Sequence, residues 1–580
     1  MHPSDFKARI DFRHPLIPRE GLSFPKFERL LVAQDLNEIL PLVHEIEKAT
    51  KDGAYAVGFL AYEAAPAFDD ALSVREGDGP LAVFGLAGQA HGNGKMERDA
   101  FSFGRWQAAW ARKDHGNAIE TILEAIRAGE TYQANLTFPL STGFEGSIEA
   151  CYQHLLKSQD ADYCGMFSGP DFSVLSASPE LFFERSGERL RTRPMKGTRR
   201  RGLTLEDDLA RSSELTTSGK DRAENLMIVD LLRNDLGRIA LPGSVSVDGL
   251  FDIERYPTVW QMTSTISARV APKTKLADIL RALFPCGSVT GAPKVSTMRL
   301  LSQLESTPRG PYCGAFGVVL PGGDCVFNVP IRTLMLSEGN TRATYPVGSG
   351  VVADSLADHE YDECLLKARI LERDPAEPFY LFETLGWSGD EGFRNLRQHL
   401  DRLGNSCRYF GFPFEEESIK DVLEKQAGDW SRPMRVRLML NQHGEPSIKA
   451  EPLLPFSGPI RLKWAEEAVD ASDRFLYHKT SRREVYDRER ARLGQADDAV
   501  LFNQRGEVTE TTIANIAFLI DGRWVTPPIS SGLLPGVLRG KLLESGELTE
   551  RVISIAEARQ AADMRVLSAL RGQVPAHWMG

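Results

Sequence analysis

One lysine in a crowd of cations is the strongest chemical signal in this 580-residue chain. In RLRTRPMKGTRRRG (residues 189–202), Lys196 comes two residues after a proline and precedes a Gly-Thr turn, with arginines at 189, 191, 193, 199, 200 and 201. Like charges disfavour the ammonium form, so this lysine is expected to give up its proton and act as a nucleophile, while the arginines receive an anionic substrate. On these residues alone a solvated basic loop or a nucleic-acid patch is the simpler account. A second set lies in HEYDECLLKA, where Glu360, Glu363 and Lys367 fall on one helix face. With Glu224 from another helix they offer hard oxygen ligands to Mg2+. From spacing alone a solvated face partnered by Lys367 is favoured. A third candidate is Lys479 in FLYHKTSRREVYD (475–487), which by itself reads as a surface charge.

Mixed α/β elements must position these groups. GAYAVGFLAYE (53–63) reads as a buried strand, and the stretch from 117 as an amphipathic helix stopped at Gly129, then a strand carrying Gln133 and Asn135. FSVLSASPELFFER (172–185) is strand, Ser-Pro turn, strand, and 220–239 is a helix with Glu224 at the margin of its apolar face. Residues 283–305 form a Gly-rich turn feeding a helix, 313–336 a β-hairpin, 347–355 a glycine loop and 359–373 a helix. The pattern breaks at DPAEP (374–378), a linker between domains at 1–373 and 379–580.

Composition narrows the field. The net charge of −11 argues against a nucleic-acid binder. Seven scattered cysteines, odd in number and never paired as CxxC, fit a reducing compartment without zinc or disulfides. No stretch has the length or apolarity of a membrane span or a leader, so a cytoplasmic address is expected.

The ordered set SASPELF, RPMKGTRRRG, KDRAENLMIVDLLRNDLGR, FPCGSVTGAPK, RGPYCGAFG, NVPIRT, VGSGVVADS and HEYDECLLKA resembles the chorismate-utilising enzymes over residues 120–372. That family includes anthranilate, isochorismate and aminodeoxychorismate synthases. The resemblance implies an α/β (α+β) fold, a two-sheet sandwich with helices outside, and Mg2+ held by Glu224 and Glu363 with Glu360 beside them. Arg332 and Tyr312 would hold a carboxylate of chorismate with the N–H groups of Gly348 and Gly350, and Thr198 and Thr290 would add polar contacts. Gln133 stands where isochorismate-forming members carry a lysine base for water, so the chain looks like an ammonia user. Lys196 stands where anthranilate synthases carry alanine and aminodeoxychorismate synthases carry lysine. By this resemblance it attacks C2 of chorismate, expels the 4-hydroxyl and is displaced by ammonia at C4. Two positions depart from the pattern: Gln261 replaces a histidine, leaving the general acid unassigned, and Cys286 replaces a glycine.

HLDRL (399–403), the Lys479 stretch, VTETTIANIAF (508–518) and SGLLPGVLRG (531–540) resemble the fold-type IV aminotransferase-like enzymes that use pyridoxal 5'-phosphate, specifically the 4-amino-4-deoxychorismate lyases and their branched-chain and D-amino-acid transaminase cousins. The resemblance makes Lys479 the covalent cofactor lysine and proton shuttle, and Glu510 the partner of the pyridine nitrogen. Arg402 would bind the phosphate with N–H groups around Val537-Leu538 and Thr512-Ile513, and Asn515 would support the cofactor wall. Ser568-Ala569 replaces the Asn-Ser of the lyases, and the domain begins at FYLFETLGW without the usual preceding strand, so part of its small subdomain is expected from elsewhere.

Together the two resemblances imply a bifunctional enzyme that makes 4-aminobenzoate for folate, a synthase step followed by loss of pyruvate. No cysteine sits in a glutaminase turn, so ammonia must come from solution or from a separate glutamine amidotransferase subunit. The rivals are an anthranilate-type synthase and a C-terminal domain without catalysis. A homodimer is left open by analogy alone.

Overall fold

Ala8, Ile10 and Phe12 are buried, whereas Lys7, Arg9 and Asp11 alternate with them and stay partly exposed. That period of two is the signature of a sheet with one face on a core. In the computed structural model, which describes residues 2–94, 99–371, 378–455 and 458–579, the chain divides into two units. Met1–Arg200 with Ser212–Ala376 forms the first, and Arg201–Arg211 with Glu377–Gly580 the second. Of the expected linker only Pro378 lies within the described residues.

The first unit holds two ten-stranded sheets. A shared core lies between them, with Ile10 and Phe167 from one sheet and Phe59 and Phe316 from the other. A second core packs one sheet against helices Leu36–Lys51, Gly219–Gly237 and Leu276–Leu283. A third packs the other sheet against helices Arg112–Arg127, Ile148–Gln159 and Ala357–Ala368. This is the expected sandwich with helices outside.

At two connections that lie side by side the chain passes from one sheet to the other. Ser173–Ser178 belongs to one sheet and Leu181–Ser186 to the other, so the chain changes sheet at Pro179-Glu180. Cys325–Asn328 and Thr333–Ser337 are likewise in different sheets, and Arg332 sits at that crossing with φ +51°. Val329 N donates to Glu180 O at 3.1 Å, tying the crossings together.

Two expected loops are strands. Met195–Arg200 pairs with Val259–Arg269, and Met195 to Thr198 spans one residue more than the facing Thr263 to Gln261. The expected Gly-Thr turn is thus a bulge containing Lys196 and Gly197, a device that re-aims a side chain at a sheet edge. The expected glycine loop at 347–355 begins inside strand Arg342–Val351, paired in register with Gln133–Gly146. Glycine is needed there for close approach rather than for turning. A Cβ at 348 would lie 2.8 Å from Leu136 O.

In the second unit a four-stranded antiparallel sheet packs on helices Leu396–Phe410 and Glu416–Ala427. A separate eight-stranded mixed sheet carries Val508–Thr511 and Asn515–Ile520.

Two candidate active sites

Each unit has a large cavity among its described residues. That of the first, about 430 Å³, is lined by Lys196, Thr198, Glu224, Tyr312, Arg332, Gly348, Gly350, Glu360 and Glu363, joined by Glu180, Gln261, Ser288 and Lys367. Gln133 and Thr290 stand behind the wall. Thr290 is fully buried and donates its hydroxyl to Cys286 O at 2.9 Å. Gln133 is 1% exposed, and the Cβ that alanine would place at 350 falls 3.0 Å from Gln133 Nε2 and 3.2 Å from Lys196 Nζ. Those two nitrogens therefore flank Gly350. The Oε1 of Gln133 is buried without a hydrogen-bond partner.

Lys196 is set toward its neutral form, but not by the arginines. Arg189 pairs with Asp248, Arg191 with Glu184, Arg193 with Glu254, Arg199 with Asp221 and Arg201 with Asp208. These carboxylates neutralise five of the six arginines, and Arg200 is exposed and does not line the cavity. Desolvation in the cavity lowers the Lys196 pKa, Lys367 adds a like charge, and Glu180 and Glu224 oppose both. The guanidinium open to an anion is Arg332, which pairs with no acidic side chain among the described residues, and desolvation lowers its pKa too.

Glu180 is the residue that the sequence reading passed over, although SASPELF contains it. It is 2% exposed, and burial raises its carboxyl to about 7 even though the Ser288 hydroxyl donates to it at 2.6 Å. Burial thus shifts this carboxyl toward its protonated form. Gln261, where the family often has histidine, accepts from Thr198 Oγ1 at 2.9 Å and donates to Gly197 O at 2.9 Å. It is a clamp on the Lys196 bulge.

The acidic residues form a wall rather than a cage. Glu224, Glu360 and Glu363 share the cavity, yet among the described residues no three acidic, histidine or cysteine side chains are gathered as a ligand cluster. Glu363 is held by Lys367 at 2.8 Å, and Lys367 Nζ also donates to Gly348 O at 2.8 Å. Such hard donors fit Mg2+, which keeps several waters and binds through one or two carboxylates and the substrate.

The cavity of the second unit, about 450 Å³, is lined by Arg402, Lys479, Glu510, Thr512, Ile513, Asn515, Val537 and Leu538. Desolvation, with Arg402 nearby, lowers Lys479 to about 7, and burial raises Glu510 to about 7. Glu510 accepts from Tyr486 Oη at 2.7 Å, Asn515 Nδ2 at 3.0 Å and Leu534 N at 3.2 Å. Among the described residues no ion pair is formed by this carboxylate, although Lys479 and Arg483 lie near it, and a pyridinium nitrogen could take that place. The helix Val537–Glu544 starts at Gly536, where a Cβ would fall 1.8 Å from Asn515 Oδ1, so only glycine permits this close wall. These features fit pyridoxal phosphate.

Two residues differ from expectation. Arg402 gives its Nε and Nη2 to Glu383 at 2.9 and 2.6 Å and its Nη1 to Pro535 O at 3.0 Å, so only its remaining N–H groups face the cavity. Thr512 spends its N–H and hydroxyl on Asp498 and is wall rather than a free donor. Glu383, Tyr486 and His478 carry no sequence signal beyond their place in motifs.

Residues 93–373 match the model of the chorismate binding enzymes, and residues 380–577 that of the class IV aminotransferases. The chain joins a chorismate-binding-enzyme domain to a class IV aminotransferase domain. Over 267 residues it is 38% identical to a protein of Salmonella typhimurium named aminodeoxychorismate synthase component 1, covering 46% of this chain and 58% of that one. Over 278 residues it is 38% identical to one of Haloarcula marismortui named anthranilate synthase component 1, covering 48% and 55%. The chain thus spans less than two thirds of the length of these curated relatives. Anthranilate synthase component I of Streptococcus pneumoniae has the same fold, with a TM-score of 0.52 at 24% identity over 64% of this chain and 93% of that one. Equal identity to two kinds of synthase leaves the reaction to the site residues. Among the described residues, no helix is long and apolar enough to cross a membrane.

Proposed function

We propose that the protein makes 4-aminobenzoate from chorismate in two steps. The first unit replaces the 4-hydroxyl by an amino group, and the second removes pyruvate from the resulting 4-amino-4-deoxychorismate. The observation that carries this reading is Lys196, desolvated in one cavity with Glu180, whose carboxyl burial raises to about 7, and with Arg332, which pairs with no acidic side chain among the described residues.

Chorismate is a dianion. Arg332, with the Tyr312 hydroxyl, would take one carboxylate, and Mg2+ held by Glu224 and Glu363, with Glu360 beside them, would neutralise the other. Lys196 Nζ then bonds to C2, the ring double bonds shift, and the C4–O bond breaks as Glu180 gives its proton to the departing hydroxyl. Ammonia bonds to C4, the C2–N bond breaks, and Lys196 is regenerated; the net exchange is hydroxyl for amine with loss of water. The unpartnered Oε1 of Gln133 would accept an N–H of the incoming ammonia. All seven cysteines are buried and burial pushes every thiol upward, so none serves as a glutaminase nucleophile. Ammonia would come from a glutamine amidotransferase partner, in the cytoplasm.

In the second unit Arg402 and the N–H groups at Val537 and Leu538 would hold the phosphate, and Glu510 the pyridine nitrogen. Bound pyridoxal phosphate supplies an electron sink for the amino-bearing carbon. Lys479, near its titration point at neutral pH, removes the C4 proton and passes a proton to the enolpyruvyl methylene as the C3–O bond breaks.

The test is product identity. Protein with chorismate, Mg2+ and an ammonium salt is expected to give 4-aminobenzoate and pyruvate only when pyridoxal phosphate is added, and 4-amino-4-deoxychorismate without it. Anthranilate as the main product would overturn the synthase reading.

A further inference from the structure

The stretch that runs on from the Lys196 strand does not belong to the first unit. Residues Arg201–Arg211 are part of the second, although they lie within the span that matches the chorismate binding enzymes. Their anchoring is dense. The Arg201 side chain, 7% exposed, makes a two-pronged pair with Asp208 at 2.6 and 2.7 Å. It also donates to Tyr409 O at 2.7 Å and lies over the Tyr409 ring at 4.6 Å. Tyr409 Oη donates back to Gly202 O at 2.7 Å, and a Cβ at 202 would fall 2.2 Å from Asp208 N. Leu203 packs into the cluster of Leu476, Tyr477 and Tyr486.

Leu203 of this segment meets the neighbour of Lys479. His478 Nε2 donates to Leu203 O at 3.1 Å, and its Nδ1 accepts from Ser406 Oγ at 3.0 Å. Burial pushes the imidazole down to about 3, so it is neutral, with one donor and one acceptor matching these two bonds. Its ring also lies 4.3 Å from that of Tyr409. Ser406 is on helix Leu396–Phe410, which carries Arg402. The orientation of His478 is therefore fixed from both sides, and the peptide that bears Lys479 follows from it.

We propose that residues Arg201–Asp208 are a strap that positions Lys479 through His478. A segment embedded in the synthase sequence then belongs to the machinery of the second reaction. The inference rests on the reading of the second unit as a pyridoxal-phosphate site. Arg201 and His478 are positioning residues, because a catalytic group must be held by neighbours whose own side chains are locked.

Three full-length variants test this: Arg201→Met, His478→Leu and His478→Gln, whose amide can still donate to Leu203 O and accept from Ser406. Visible circular dichroism of bound pyridoxal phosphate reports cofactor orientation, and chorismate amination in the same samples reports that the chain is folded. Arg201→Met and His478→Leu are expected to lose most of the dichroic band and roughly 10- to 100-fold in kcat for pyruvate release, with KM changed little. His478→Gln is expected to recover most of both, and all three to keep amination. Full band and kcat in Arg201→Met and His478→Leu, or a His478→Gln as poor as His478→Leu, would overturn the strap's role. If Arg201→Met also loses amination, the two His478 variants decide. A wild-type protein that shows no band with pyridoxal phosphate overturns the cofactor reading itself, and the positioning role with it.

Discussion

The hydroxyl of Thr198 donates to Oε1 of Gln261 at 2.9 Å, while the other end of the same amide donates to the carbonyl of Gly197. One side chain thus holds both residues that follow Lys196. Replacing it by leucine removes two hydrogen bonds from the bulge, a loss of about 1–3 kcal/mol. Gln261→Leu should lower amination roughly 10- to 100-fold in kcat if that energy is spent on holding the nucleophile. Chorismate binding, read by fluorescence or calorimetry, should change far less. An equal loss in affinity would place the residue in substrate binding instead.

In the proposed mechanism Glu180 and Lys196 make opposite demands on pH. The acid works while protonated, so its contribution is present below about 7 and fades as the pH rises through that value. Lys196 works while neutral, and desolvation brings that form within reach at lower pH than for a free lysine. The pH profile of amination should therefore be bell-shaped, with the alkaline limb belonging to Glu180. Glu180→Gln should cost about 10²- to 10⁴-fold and abolish that limb. An unchanged limb would assign it to another group.

Glu383 gives the second unit an acid-sensitive anchor. Although burial opposes it, Arg402 and His399 hold this carboxyl at about 2, well below its usual value of 4.5. A depressed folded-state pKa contributes stability above the unfolded value, lost as the pH falls from about 4.5 through 2. A shift of that size corresponds to about 3 kcal/mol. Calorimetry of Glu383→Gln should show destabilisation of that order in the transition of the second unit at pH 7, shrinking as the pH is lowered. Because Glu383 also fixes the Arg402 fork, pyridoxal-phosphate affinity should fall in the same variant.

How far the sequence foretold these sites depends on how local each determinant is. Lys196, Glu224, Arg332, Lys479 and Glu510 stand in contiguous motifs, and each faces the cavity of its own unit. The cause assigned to Lys196 was wrong, because neighbouring arginines in a string are not neighbouring charges once strand alternation and carboxylates from residues 184–254 have paired them. Glu180 escaped notice because its protonation comes from burial at a sheet crossing, which no periodicity reveals. The strap was equally hidden, since Arg201 and Tyr409 meet across more than 200 residues of chain. Gly348 and Gly350 looked like a loop because the pattern records missing side chains without saying what replaces them.

What stands where a side chain at 350 would be is the pair of nitrogens from Gln133 and Lys196. A methyl group there would lie 3.0 Å from Gln133 Nε2 and 3.2 Å from Lys196 Nζ, tighter than ordinary contact, so both nitrogens would have to yield by a few tenths of an ångström. Both belong to side chains that can move, so Gly350→Ala should fold, with a melting transition close to that of the wild type. The displacement falls instead on the proposed nucleophile and on the proposed acceptor for ammonia. Amination should drop roughly tenfold or more, given that an ångström of misplacement can cost about a hundredfold. Pyruvate release from added 4-amino-4-deoxychorismate, which uses the other cavity, should be untouched. If both reactions fell together, the damage would be to the fold, and the placement of Lys196 against Gly350 would lose its support.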